Sequence, residues 1–258
     1  MIDVHCHLEQ PDYDKDRGEV IEKCRKELKA VITSCAHPKD FDLTMQLVEK
    51  YKGFVFATVG IHPEYVKEIS EKEIDAYMET IKKNKDKIVG LGEIGLDFWH
   101  ERESVGQEKQ KKLFIRLISF AKEIHKPLTV HCRDAYLDCI KILEQEDAKN
   151  VHLHMWGEYK LFNQIVDNGW YVSAGPIIAY SKKYKKVARK MPIGQLMLET
   201  DSPWFGGKGL DGKLLRGEPT NIKIPAIEIA KIKKMEFKDV WEICGRNTIR
   251  LFSLPLRV

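Results

Sequence analysis

The chain has no run of ~20 consecutive apolar residues, the length a helix needs to cross a bilayer, so no membrane-spanning helix is expected. It opens on Met1-Ile2-Asp3-Val4, with neither a basic stretch nor an apolar signal segment, and the expectation is a cytoplasmic protein. Six cysteines are scattered as Cys6, Cys24, Cys35, Cys132, Cys139 and Cys244. None forms a C-x-x-C pair, which argues against a disulfide scaffold and a zinc ribbon. No low-complexity segment and no linker interrupts the chain. Neither sign of charge dominates: 43 Lys+Arg stand against 39 Asp+Glu, a net +4, and that balance alone does not indicate nucleic acid. The basic clusters at 182–186 and 231–234 read first as solvated helix faces.

What the sequence does have is alternation. Short β-branched or apolar runs at 2–4, 30–34, 54–59, 88–91, 127–130, 151–153, 170–173 and 195–198 read as strands. Between them, helical spacing predicts helices at 16–29, 41–51 (Asp40 as a candidate cap), 74–83, 107–124 and 136–143, and two more follow at 224–234 and 238–252. Eight strands alternating with helices over ~250 residues give an α/β fold of the (β/α)8 TIM barrel class, with 1–258 as a single domain. A doubly wound open sheet is the alternative. It needs no closing strand and would more naturally carry a Gly-rich dinucleotide turn, and no such turn is read in the chain. The loop at 204–221, rich in glycine and charge, belongs at the barrel mouth.

In such barrels the chemistry sits at the carboxyl ends of the strands. Here those ends carry His5 and His7, then His62, Glu93, His131, His154 and Asp201. His5 and His7 are two apart, so a strand projects them to one side. Imidazoles with carboxylates suit zinc, manganese or iron, and the carboxylates let magnesium compete. The set is too large for one ion with an open position. Two ions ~3.5–4 Å apart fit better, with Glu93 as the natural bridge.

Seven segments sharpen this: Asp3-Val4-His5-Cys6-His7-Leu8, Gly60-Ile61-His62-Pro63, Gly92-Glu93-Ile94-Gly95-Leu96-Asp97, His131-Cys132-Arg133, Leu198-Glu199-Thr200-Asp201-Ser202-Pro203, Arg216-Gly217-Glu218-Pro219 and Asn247-Thr248-Ile249-Arg250-Leu251-Phe252. In this order, from end to end, the chain resembles the TatD family of metal-dependent deoxyribonucleases, within the amidohydrolase-like barrel superfamily. The resemblance implies that His5, His7 and Asp201 hold one divalent ion, that His131 and His154 complete a second, and that Glu93 bridges them. The ions would be magnesium, manganese or zinc. It implies that His62 and Arg133 face the substrate phosphate, and that Asp201 doubles as the base orienting the attacking water. DNA is the implied substrate, shortened 3′→5′ as a single or damaged strand. The alternative is a hydrolase of a small amide, ester, lactone or phosphoester on the same metal site.

Several residues carry two readings. His62 caps a loop or meets phosphate. Arg133 pairs with Asp134 or Asp97, or meets phosphate. Glu199 orients a metal-bound histidine or is an ordinary polar residue at a strand end. His152, two before His154 in the same strand, reaches the same side of the site or, one layer deeper, belongs to the barrel interior, the reading preferred here. His37, His100 and His125 belong to loops or surface, and Cys6 and Cys132 to packing. Trp99, Trp156 and Trp204 lie in rim loops, as stacking platforms or as a roof. A basic mouth would require Lys182, Lys183, Lys185, Lys186, Lys208, Lys213 and Arg216 to lie on the carboxyl-end rim. Two departures from the family pattern bear on the substrate: Met155-Trp156-Gly157-Glu158 replaces a small polar turn, and Glu64 stands where the family often has histidine.

Overall fold

The computed structural model describes residues 1–207 and 215–257. Eight strands run parallel in chain order: β1 (Ile2–Cys6), β2 (Ala30–Cys35), β3 (Val55–Val59), β4 (Gly90–Asp97), β5 (Leu128–Arg133), β6 (Val151–Leu153), β7 (Tyr171–Ala174) and β8 (Leu196–Leu198). Nine α-helices accompany them among the described residues: α1 (Arg17–Arg25), α2 (Phe41–Lys50), α3 (Glu71–Lys83), α4 (Ser104–Glu123), α5 (Tyr136–Gln145), α6 (Phe162–Asp167), α7 (Lys182–Lys190), α8 (Lys223–Lys233) and α9 (Phe237–Phe252). This is a nearly closed (β/α)8 barrel. Each strand pairs only with its chain neighbours, which rules out the open-sheet alternative.

Closure between the last strand and the first is made just beyond β8. The Asp201 amide donates to the His5 carbonyl (2.9 Å), and the His7 amide to the Ser202 carbonyl (2.7 Å). Asp3 locks the same seam from inside. Its carboxylate, buried with no exposure, accepts from the Thr200 hydroxyl (2.6 Å) and from the amides of Thr200 (3.1 Å) and His5 (3.2 Å). The seam therefore fixes β1 and the turn after β8 together, and these are the two segments that carry His5, His7 and Asp201.

The strands are buried on both faces, as their continuous apolar runs require of a parallel sheet. One apolar cluster fills the layer between strands and helices. A smaller one, Ile2, Val4, Ala30, Ile32 and Met197, plugs the amino end of the barrel with Leu251, Phe252 and Leu254. Side chains thus fill the barrel from below and leave only the carboxyl end for a site.

The largest departure from expectation is β4, which runs on to Asp97 instead of ending at 91. Its pairing with β5 slips register between Leu91 and Ile94. Two glycines allow this. A Cβ at Gly92 would lie 2.5 Å from the Thr129 carbonyl oxygen, and one at Gly95 (φ +141°) would collide with the His131 carbonyl. The Gly90-x-Gly92-x-x-Gly95 spacing, which elsewhere marks a dinucleotide turn, is here a device for close strand contact.

Smaller differences follow from local chemistry. The first helix stops at Arg25, four residues short of the expected end. Asp40 makes no capping bond; His37 caps the preceding 3-10 turn by accepting from the Lys39 amide (3.0 Å). Helix α3 begins earlier than its apolar stripe because Ser70 and Glu73 form a capping box. Helix α6 has one buried apolar residue, Ile165, too few to give a periodic signal. The mouth loop at 204–221 lies partly outside the described residues; its last part forms a 3-10 turn, Pro219–Ile222.

Replacing Asp3 with alanine strands the donors at the closing seam. The expected cost is about 2–4 kcal/mol of unfolding free energy. Urea denaturation of the purified variant measures it, and a loss below about 0.5 kcal/mol would mean that the seam does not depend on this carboxylate.

Candidate metal centre

Three imidazoles are aimed from behind. The Ser34 hydroxyl, itself bonded to Thr58 (2.8 Å), meets His5 Nδ1 at 3.0 Å. Glu9 Oε1 meets His7 Nδ1 at 3.1 Å, and its other oxygen accepts from Thr33 (2.6 Å). Glu199 Oε2 meets His154 Nδ1 at 2.7 Å while Oε1 accepts from the Met155 amide (2.8 Å). Carboxylates at the Nδ1 of His7 and His154 place a proton there, which leaves Nε2 as the free nitrogen in the neutral ring.

Those Nε2 atoms meet. His5 and His7 bring theirs to 3.1 Å of each other. Glu93 Oε2 lies 3.3 and 3.6 Å from them, and Asp201 Oδ1 lies 3.6 and 3.5 Å away. The second oxygen of Glu93 faces a different set: His131 Nδ1 at 3.0 Å, His62 Nε2 at 3.6 Å and His154 Nε2 at 3.8 Å. His154 also reaches Asp201 Oδ2 at 4.0 Å. His131 is turned the other way round, with Nδ1 inward and Nε2 held by Asp97 Oδ2 at 3.0 Å.

Three triplets of potential ligand atoms lie within 4.8 Å of one another: His5, His7 and Glu93; His62, Glu93 and His131; and His5, His154 and Glu199. The third is an imidazole with its orienting partner, because Glu199 meets the nitrogen of His154 that faces away from Glu93. A divalent cation fits this donor set. Lone pairs of neutral nitrogen and carboxylate oxygen converge from several sides, and no Lys or Arg stands among them.

Burial raises the pKa of Glu93, but His5, His154 and His62 more than reverse it and hold the group well below the usual carboxylate range. Asp201, likewise raised by burial, ends lowered by His154 and His7. Burial lowers the histidines, and for His5, with His154 nearby, that prevails. For His7 the bonds to Asp201 and Glu9 outweigh burial, and its pKa is well above normal. His154, against burial, is pushed up to about 9 by Glu199, Asp201 and Glu93. Burial and the neighbouring His131 bring His62 down to about 3.

The structure brings all eight expected residues to one end of the barrel, in or beside an open cavity of about 1160 Å³ lined by His7, His62, Glu93, His131, Arg133, His154 and Asp201 among others. His62 fits both readings: Nδ1 accepts from the Glu64 amide (3.2 Å) while Nε2 faces the centre. Arg133 forms no ion pair with Asp134 or Asp97 among the described residues; its guanidinium lies 3.9 Å over the Trp99 ring. His152 lies below the site, fully buried and bonded to Ser173 (2.7 Å). Cys6 and Cys132 are buried packing residues.

His100 stands in an exposed turn, as expected of a loop or surface histidine, and from there it lines the cavity with its Nδ1 bonded to Asp97 (2.8 Å). Other expectations are corrected. Trp156 is not at the rim: it is fully buried, with Nε1 donating to the Glu158 carbonyl (2.7 Å). Trp99 and Trp204 remain exposed at 44% and 49%, and Trp204 sets its edge against His7 (4.8 Å between ring centroids). Lys182, Lys183, Lys185 and Lys186 do not line the cavity, and Lys208 and Lys213 lie outside the described residues. Arg216 lines it with its guanidinium tied to Asp16 (2.7 and 2.6 Å).

Sequence reasoning missed Asp97, Glu9 and Ser34. Asp97 closes the Gly92–Asp97 segment and was in view only as a possible partner of Arg133. Glu9 continues the period-two spacing of His5 and His7, which was the available signal. Nothing local marks Ser34, which arrives from the neighbouring strand.

The family model described as TatD related DNase matches residues 2–253. The chain is 36% identical to a putative deoxyribonuclease TATDN3 of Mus musculus over 98% of this chain and 88% of that one. It is 34% identical to the deoxyribonuclease TATDN3 of Homo sapiens (98% and 94%), and 32% identical to an uncharacterized metal-dependent hydrolase of Methanocaldococcus jannaschii (99% and 98%). In structure it is similar to YJJV, a TatD homologue from Escherichia coli, with a TM-score of 0.89 at 22% identity over 99% and 98% of the two chains.

Protons on His7 and His154 must leave before their nitrogens can bind a cation, so affinity should rise with pH through the neutral range. Calorimetry with zinc or manganese in buffers of different ionisation enthalpy should show net proton release near pH 7. Glu199→Gln should weaken binding by about 10–100-fold. No proton release, or unchanged affinity in the variant, would contradict this geometry.

Proposed function

The chain belongs to the TatD related DNase family, and from that premise we propose that this metal-dependent hydrolase is a deoxyribonuclease that shortens single-stranded or damaged DNA from its 3′ end. The supporting observation is the position of Glu93, whose two oxygens face separate groups of imidazole nitrogens, His5 and His7 on one side and His131 and His154 on the other, at 3.0–3.8 Å. On this reading 1–258 is one catalytic unit. His5, His7 and Asp201 hold one divalent ion, His131 and His154 the other, and Glu93 belongs to both. The histidine-rich set suits zinc or manganese, with magnesium a poorer match. When bound, the ions lower the pKa of the attacking water and offset charge on the phosphoryl oxygens.

The side chains supply the rest. Asp201 stays ionised because His154 and His7 outweigh its burial, so it can accept the proton of the attacking water. His62 accepts at Nδ1 from the Glu64 amide, which fixes the proton on Nε2, and its low pKa keeps the ring neutral. It therefore meets a phosphoryl oxygen as a neutral donor. Arg133, held over Trp99, supplies positive charge. Trp204 roofs the side of the cavity above His7.

A second reading, a hydrolase of a small amide, ester, lactone or phosphoester, is favoured by one observation. The described cavity lining carries Asp12 and Glu64 beside Arg133 and Arg216, and a mouth so balanced suits a small substrate. No helix among the described residues is long and apolar enough to cross a membrane.

A 5′-labelled single strand incubated with magnesium, manganese, zinc or chelator separates the readings. The expected result is a metal-dependent ladder shortening from the 3′ end, reduced at least ~100-fold in Glu93→Ala. An intact strand under every metal would overturn the nuclease reading and direct attention to esters, lactones and amides.

A further inference from the structure

Helix α7 has the sequence Lys-Lys-Tyr-Lys-Lys-Val-Ala-Arg-Lys, six cations in nine residues and no acid. The other described α-helices each contain at least one Asp or Glu. A merely solvated charged face would be expected to mix signs as they do. Lys185 is taken by Glu228 (3.2 Å), but among the described residues no ion pair engages Lys182, Lys183, Lys186, Arg189 or Lys190, all of them exposed. Three of the ammonium groups are positioned by aromatic rings: the Nζ of Lys183 lies over Tyr136 (4.8 Å), that of Lys186 over Tyr159 (4.8 Å) and that of Lys190 over Phe162 (4.4 Å). The charges are thus held in a row at fixed places on the surface.

The row starts at the cavity. Tyr180, which lines the mouth and is 68% exposed, stands two residues before the helix. Lys183 donates to the Tyr136 hydroxyl (3.2 Å), and Tyr136 opens α5, three residues after Arg133. From there α7 runs down the outer wall toward β8, about 13 Å at the usual helical rise, long enough to accompany roughly four stacked phosphates. A lipid surface fits poorly. Membrane-bound basic helices need exposed apolar side chains, and the apolar residues of α7, Val187 and Ala188, are buried.

We propose that the exposed lysine face of α7 is the track for the sugar-phosphate backbone of a single-stranded nucleic acid, carrying the part of the strand on the 5′ side of the nucleotide in the cavity. The direction of the strand rests on the 3′-exonuclease reading above. Tyr180 offers its ring to a base at the turn from cavity to track, in the pairing of aromatic platform and basic groove that sequence-tolerant strand binders use. The track also supplies what the balanced cavity lining lacks. Affinity for a polyanion is gathered outside the catalytic pocket, so long strands should be preferred over short ones.

The test compares Lys182→Gln/Lys183→Gln/Lys186→Gln/Lys190→Gln with a control of equal charge change, Lys52→Gln/Lys83→Gln/Lys85→Gln/Lys87→Gln, whose sites lie toward the amino end of the barrel. Anisotropy reports binding of a labelled strand of about 20 nucleotides, with phosphorothioate 3′-terminal linkages to slow cleavage, to the metal-loaded proteins at about 50–300 mM salt. Cleavage of an unmodified trinucleotide is followed in parallel. The α7 variant should bind the long strand at least ~10-fold more weakly at low salt, with a log–log salt slope reduced by about 3, or about 0.7 per lost contact. The control should match the wild type on both substrates, and the α7 variant should lose far more on the long strand than on the trinucleotide, which reaches only the start of the track. Equal long-strand binding by the α7 variant would overturn the track while leaving the nuclease reading intact. No trinucleotide cleavage by the wild type, with α7-dependent strand binding retained, would remove the nuclease reading and leave the track. Loss of binding to anionic phospholipid vesicles in the α7 variant, with strand binding unchanged, would reassign the face to a membrane.

Discussion

Glu93 stands between two groups of nitrogen donors, 3.3 Å from His5 on one side and 3.0 Å from His131 on the other, and much of the barrel's carboxyl end serves to keep it there. Gathering four imidazoles and two carboxylates in one pocket is costly. Each group loses water, and like lone pairs are brought together. The fold offsets the cost from outside the cluster. Ser34, Glu9, Glu199 and Asp97 each bind the far nitrogen of one ring, and no described buried side-chain nitrogen or oxygen lacks a partner. The price is positional rigidity, since none of these rings can turn without breaking a buried bond.

The barrel follows from the same logic. β1 and the turn after β8 are sewn together through Asp3, so His5, His7 and Asp201 are delivered by one seam. β4 has to approach β5 closely enough for Glu93 to meet His131, and Gly92 and Gly95 make that approach possible. Stability and site geometry are thus coupled at two places where a side chain would otherwise be unremarkable.

These features were unequally visible in the sequence. The eight strands could be read because a parallel barrel buries both faces and leaves continuous apolar runs. The ligand-type residues could be read because each ends or follows such a run. Helix α6, with Ile165 alone buried, gave no period to detect. The full extent of β4 was hidden because a strand spaced by glycines resembles a loop. Partners such as Ser34 cross from a neighbouring strand, and spacing within one segment carries no trace of them. Trp156 looked like a rim aromatic by its place after β6, but its ring turns inward and is buried. The lysines of α7 were legible as a charge cluster, while their direction, away from the cavity and along the wall, depended on tertiary placement.

On the proposed reading Glu93 is shared by two divalent ions. Elemental analysis of the protein after saturation with manganese or zinc and removal of loosely held metal measures it directly. Two ions per chain in the wild type, falling to one or none in Glu93→Gln with the fold retained by circular dichroism, is the result this arrangement predicts. A single ion in the wild type, or two ions still held by the variant, would contradict it.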